Sequence, residues 1–165
     1  MDSIIIEETN FQKARNKIRE ARKQGKAVVF TSNDDELARK VLEKEKINAL
    51  LINQVGRKDS LKQRNSGFNQ VLAKIAKKKQ VSIGINLQEI LSSGLEEKVE
   101  ILARIEQNIK LCSKNKLKVI FFTKEEKNQY DLKALGLILG MPTWMTRDME
   151  VVRINHTPIF PVEKL

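Results

Sequence analysis

The stretch from Ser66 to Leu91, SGFNQVLAKIAKKKQVSIGINLQEIL, changes its apolar period halfway along, with almost no connecting residues between the two patterns. In its first half Phe68, Val71, Leu72, Ile75 and Ala76 recur at helical spacing, forming one stripe that must face a core, while Lys74, Lys77 and Lys78 share the opposite side. In its second half Val81, Ile83 and Ile85 alternate with Ser82, Gly84 and Asn86, which is a strand read at period two. A helix that feeds a strand so directly is the joint of a parallel α/β fold, where each crossover helix covers the sheet and returns the chain to the next strand.

The same joint recurs on both sides. Ser3 to Glu7 reads as a first strand, and the helix after it buries Phe11, Ala14, Ile18 and Ala21 and ends at Gly25. Lys26 to Thr31 is a second strand whose continuous apolar run marks cover on both faces. Ser32 or Asn33 is placed to cap a helix carrying Leu37, Val41 and Leu42 inward, and Asn48 to Asn53 is a third strand. Beyond the central stretch, Leu95, Val99, Leu102, Ile105, Ile109 and Cys112 predict one long helix with a sustained buried stripe. Leu117 to Thr123 follows as a fifth strand, then a helix from Asp131 that buries Leu132, Leu135 and Leu139 and closes at Gly140. The 165 residues suit a single domain, 1–165. Residues 141–165, with all three prolines and Trp144, read as a tail with room for a short strand at Val151 to Ile154. Trp144, Ile159 and Phe160 in it are candidates for a partner-facing patch or for packing on their own domain.

Charge narrows the function. Thirty-one basic residues against 21 acidic give a formal +10, and a surplus of this size points to a polyanionic partner, nucleic acid first. From Gln54 to Lys79 there are eight basic residues and one acidic, and the aperiodic part of that stretch, Gln54 to Ser66, leaves the C-terminal end of a parallel strand, where α/β folds assemble binding sites. Arg15, Arg19 and Arg22 form a second basic ridge that suits a solvated helix face better than a phosphate contact. No apolar run is long enough to span a bilayer and no basic secretory start is present, so an intracellular, cytoplasmic protein without a membrane partner is expected. Cys112 stands in register with apolar residues and reads as a small buried thiol.

The patterns of common catalytic sites are missing. One histidine, His156, cannot form a metal cluster, and no glycine-rich dinucleotide or phosphate loop follows any strand. No catalytic residue, metal or cofactor is therefore expected. Three classes stay open at this point: an RNA-binding subunit without chemistry of its own, a metal-dependent phosphoesterase, or a basic structural domain that binds an acidic protein.

The blocks RNSGFNQVLAKIAKKKQVSIGINLQEIL, LARIEQNIKLCSKNKLKVIFFT and DLKALGLILGM resemble, in order and spacing, those of the archaeal and eukaryotic ribonuclease P protein component 3 family. The resemblance spans about Arg57 to Met141. It implies a TIM-barrel-like (β/α) fold, here shortened or incomplete because only five clear strands and a sixth are read. It further implies a non-catalytic subunit that supports the catalytic RNA of ribonuclease P in maturing the 5′ end of precursor tRNA, with protein component 2 and other protein subunits as partners. Basic residues tied to RNA in that family fall here on Arg57, with Lys58 and Arg64 in the same loop, on Lys79, and near Arg39 or Lys40. The family's arginine ahead of the last Asp-Leu helix has no counterpart, since Lys127, Asn128 and Gln129 occupy a shortened segment.

Overall fold

Six strands alternate with helices in the computed structural model, which describes residues 3–147 and 149–154. In chain order they are β1 (Ser3–Glu7), α1 (Phe11–Lys23), β2 (Ala27–Thr31), α2 (Asp35–Lys44), β3 (Ala49–Leu51), α3 (Gln70–Lys79), β4 (Ser82–Asn86), α4 (Leu87–Ser92), α5 (Leu95–Asn115), β5 (Val119–Thr123), α6 (Gln129–Ile138), α7 (Thr143–Arg147) and β6 (Glu150–Arg153). All neighbouring strands pair parallel, in the order of the sequence. β4 therefore lies inside the sheet, between β3 and β5, as its apolar alternation requires.

Side-chain oxygens close the exposed N–H groups at the helix starts. Asn10, Asn69, Asn86 and Asn128 cap α1, α3, α4 and α6. For α2 the cap is Asp34, and not Ser32 or Asn33: its carboxylate accepts from the N–H groups of Glu36 and Leu37, while Ser32 Oγ accepts one residue earlier, from Asp34 N–H. A carboxylate at the positive end of a helix gains more than a hydroxyl does, which explains the shift.

The sheet is curled into half a barrel, and its two faces carry separate cores. The convex face packs against the helices through residues such as Phe30, Leu50, Ile83 and Phe121, joined by Ile18, Val41, Ala76, Ile105 and Cys112 from the helices. The concave face is filled by Val29, Ala49, Leu51, Ile120 and Phe122, with Ile5, Val152 and Ile154 partly buried beside them. Gly84 makes this inner packing feasible. A Cβ there would lie 2.7 Å from Phe122 Cε2 and 3.0 Å from Leu51 Cδ1, so the missing side chain is the space that Phe122 occupies. The edge strands β1 and β6 do not pair with each other among the described residues, yet both line one open cavity of about 1210 Å³.

Three further expectations change, the first at Val71, which the helical spacing places on the buried stripe of α3 and which is 54 % exposed. Leu95 is 81 % exposed and Val99 60 %, and the buried face of α5 starts only at Ile101, with Arg104 and Asn108 among its buried residues. At 21 residues α5 is about 30 Å long, nearly twice the length of a five-residue strand. Its first turn overhangs the sheet and stands by the loop after β3, where Glu97 accepts from Gly56 N–H. The segment from Met141, read as tail, contributes α7 and the sixth strand, and Trp144 packs on the domain's own core with Lys116 Nζ 5.0 Å above its ring. Ile159, Phe160 and His156 lie outside the described residues. Cys112 is buried as expected, and burial pushes its thiol up to about 12, so it is inert. No helix among the described residues is long and apolar enough to cross a membrane.

Candidate nucleic-acid interface

The loop between β3 and α3 has little regular structure, so its shape must come from side chains. Arg104 of α5 supplies most of it. Its guanidinium is 1 % exposed and donates to Asp59 Oδ1 (2.9 Å), the carbonyls of Gln54 (3.2 Å) and Arg57 (2.9 Å), and Glu100 Oε2 (3.2 Å). A buried cation is tolerable only when its donors are satisfied this fully. The pairing with Arg104 holds the Asp59 carboxyl below the ordinary aspartate range. From the other side Glu89 of α4 accepts the N–H groups of Gln54 (2.8 Å) and Val55 (3.2 Å); burial raises its carboxyl above the usual range, against the pull of those two bonds.

Arg57 is a second fastening. Its Nη2 and Nη1 fork onto Asp35 Oδ1 and Oδ2 at 2.7 and 2.9 Å, and its Nε donates to Asn53 O at 2.6 Å. Gly67 lies directly beneath: a Cβ at that residue would run into the Arg57 guanidinium, and its φ of +70° is one that side chains avoid. The loop is thus a braced platform, tied to α2, α4 and α5.

What projects from the platform is Lys58, Lys62 and Arg64, all exposed, around a tip closed by the Ser60 and Gln63 bridge and bearing the exposed Leu61. Val55 from the loop and Leu95 and Val99 from the overhanging turn of α5 are exposed apolar neighbours. Cations that are free to move and unpaired are the ones that exchange counterions for RNA phosphates at least cost. Arg57, 10 % exposed and already bidentate, is not of that kind.

Of the five residues expected to contact RNA, the structure brings three together, Arg57, Lys58 and Arg64. Lys79 lies at the end of α3, at the opposite end of the sheet, where its ammonium donates to the carbonyls of Glu43 and Glu45 and closes the C-terminus of α2. Arg39 is exposed on α2 and bonded to Glu43 one turn on at 2.8 Å, which raises its pKa. The linear run of basic residues from Gln54 to Lys79 is therefore divided by α3 between two ends of the molecule. The ridge of Arg15, Arg19 and Arg22 is also structural in part: the first two face the buried Glu45 at 3.2 and 3.8 Å, and Arg22 donates to Lys46 O.

Neutral polar groups line the C-terminal ends of the central strands. Asn53 donates to Thr31 Oγ1 and accepts from Asn86, each at 3.3 Å, and Thr123 Oγ1 bonds within the turn after β5. Among the described residues no group of three or more His, Cys, Asp or Glu is placed to hold a metal ion. The arrangement suits binding and orientation of a polyanion, with a rigid base and mobile charges on it.

Arg104, Asp59 and Glu89 were not anticipated. A signal for the first existed, because Arg104 falls within the helical register of Ile101, Ile105, Asn108 and Cys112, and a charge inside an apolar stripe has to be neutralised by something folded over it.

No family model matches the chain. Ribonuclease P protein component 3 of Methanocaldococcus jannaschii is 27 % identical over 152 residues, covering 89 % of this chain and 63 % of its own length. The chain is a homologue of ribonuclease P protein component 3. A chain in the cryo-EM structure of archaeal ribonuclease P with mature tRNA has the same fold, with a TM-score of 0.75 and 25 % identity over 88 % of this chain and 62 % of that one. The chain thus spans somewhat under two thirds of the length of both relatives. The open half-barrel is an incomplete TIM-barrel-like fold.

Proposed function

We propose that this chain is a non-catalytic, RNA-binding protein subunit of ribonuclease P that supports the catalytic RNA in removing the 5′ leader of precursor tRNA, docked beside protein component 2. The observation that carries the reading is the match to component 3 along 89 % of the chain, together with the shared fold of a chain in an archaeal ribonuclease P. The braced loop with Lys58, Lys62 and Arg64 supports it physically. A protein of this kind contributes to phosphodiester cleavage by positioning RNA and reducing phosphate repulsion, while metal ions held by the RNA supply the chemistry.

Precursor-tRNA cleavage reconstituted from the catalytic RNA and component 2, with and without this chain, at low magnesium, tests it. Addition of the chain is expected to raise the cleavage rate or lower the magnesium requirement, and the chain alone should cleave nothing. No change in either quantity would refute the assignment.

A further inference from the structure

The helix-to-strand turns, and not the loop after β3, hold most of the chain's surplus charge. Residues 20–26, 43–48, 77–81 and 113–118 contain eleven basic residues and three carboxylates, a net eight of the formal +10. In a parallel sheet these turns share one end, the end at which every strand starts. There Lys26, Lys77, Lys116 and Lys118 line the open cavity, with Glu150, 3.9 Å from Lys118, as the only carboxylate among the described residues that line it.

Part of this charge has an ordinary explanation. Arg22, Lys23, Lys44, Lys114 and the lysines ending α3 sit in last helical turns, where a cation offsets the negative end of the dipole. Lys26 and Lys118 do not, since they follow the helix ends and stand at the start of β2 and β5. Lys116, in the left-handed C-cap of α5 at φ 55°, also lines the cavity, with its ammonium 5.0 Å above the Trp144 ring. Of the three acidic residues in the turns, Glu45 is buried against Arg15 and Arg19 and presents no charge to an approaching ligand.

We propose that this face, at the N-terminal ends of the strands, is a second binding surface for the phosphodiester backbone of RNA, with Lys26, Lys77, Lys116 and Lys118 at its centre. It rests on the reading of the chain as an RNA-binding subunit, and adds a site to it. The two basic surfaces are separated by the length of the strands, roughly 17 Å. One folded RNA can contact both, and each surface binds separately.

The test uses the full chain and a short double-stranded RNA, with affinity measured across a salt series for two variants. One carries Lys26→Gln, Lys77→Gln and Lys118→Gln; the other carries Lys58→Gln, Lys62→Gln and Arg64→Gln. Five of the six residues are exposed and Lys26 is half-buried, and a melting curve confirms that each variant folds. With three phosphates no longer neutralised, the first variant should bind about tenfold more weakly or worse, and its slope of log affinity against log salt should flatten by about 2. Unchanged affinity and slope in the first variant, with a loss in the second, would overturn the second surface and leave the RNA-binding reading standing. No change in either variant would remove both. RNA affinity unchanged while binding to polyglutamate falls would assign the face to an acidic protein and overturn the proposal.

Discussion

Arg57 and Asp35 form a two-pronged ion pair, with distances of 2.7 and 2.9 Å, that joins the loop after β3 to the first turn of α2. An arginine in the middle of a basic loop is thereby withdrawn from solvent, and the residue most easily read as an RNA contact becomes a brace for its neighbours.

That arrangement separates two kinds of variant. Arg57→Ala and Asp35→Ala should each lower the melting temperature, and the double variant should lose less than the two added together, because they remove one interaction. Lys58→Ala, Lys62→Ala and Arg64→Ala should leave melting unchanged, while each flattens the salt slope of RNA binding by about 0.7 to 0.9 for the phosphate it no longer neutralises. An Arg57→Ala protein that melts normally and still binds RNA more weakly would show the arginine to touch RNA directly.

Arg104→Met keeps the volume of the side chain and removes its donors. The carbonyls of Gln54 and Arg57 are then left without their donor and Asp59 without its cation, so the melting temperature should fall. Hydrogen exchange should rise first in residues 54–66. Equal loss of protection across the whole sheet would argue that Arg104 supports the core and not the loop.

The loop should also respond to acid. Asp59 titrates lower in the folded protein than in the unfolded chain because Arg104 is bonded to it, so its contribution is complete above the ordinary aspartate value of about 3.9 and is lost as pH falls through the depressed folded value. Glu89 acts in the opposite sense: burial raises it, so stability from this group declines as pH rises from its ordinary value through the raised one. Amide exchange in the loop, corrected for intrinsic rates, should therefore show a loss of protection below about pH 4. The step should vanish in Asp59→Asn. Persistence of the step in that variant would place its origin elsewhere.

Gly84→Ala drives a methyl group into Phe122 and Leu51. Overpacking of this kind costs about 1 to 3 kcal/mol, and Phe122→Leu in the same chain should recover part of it. A Gly84→Ala protein with unchanged stability would mean that the half-barrel can open enough to admit the methyl.

The architecture was legible in the sequence because a β/α repeat announces itself locally. The switch of apolar period between Ala76 and Val81 recurs at each joint, right-handed crossovers leave little choice of order, and the parallel sheet from β1 to β6 follows. The basic loop after β3 was legible too, as charge without periodicity at the exit of a strand. What the sequence could not determine was which cations are free. Arg57 and Lys58 are adjacent in the chain and alike in charge, yet one is locked to Asp35, 22 residues earlier, and the other faces solvent. Lys79 and Arg64 belong to one linear run, and the ten residues of α3 place them at opposite ends of the sheet. Leu95 and Val99 continue the apolar stripe of α5 but overhang the strands it was meant to cover. Helix length, strand length and ion pairing between distant segments settle these points, and each depends on distances across the fold that no local pattern records.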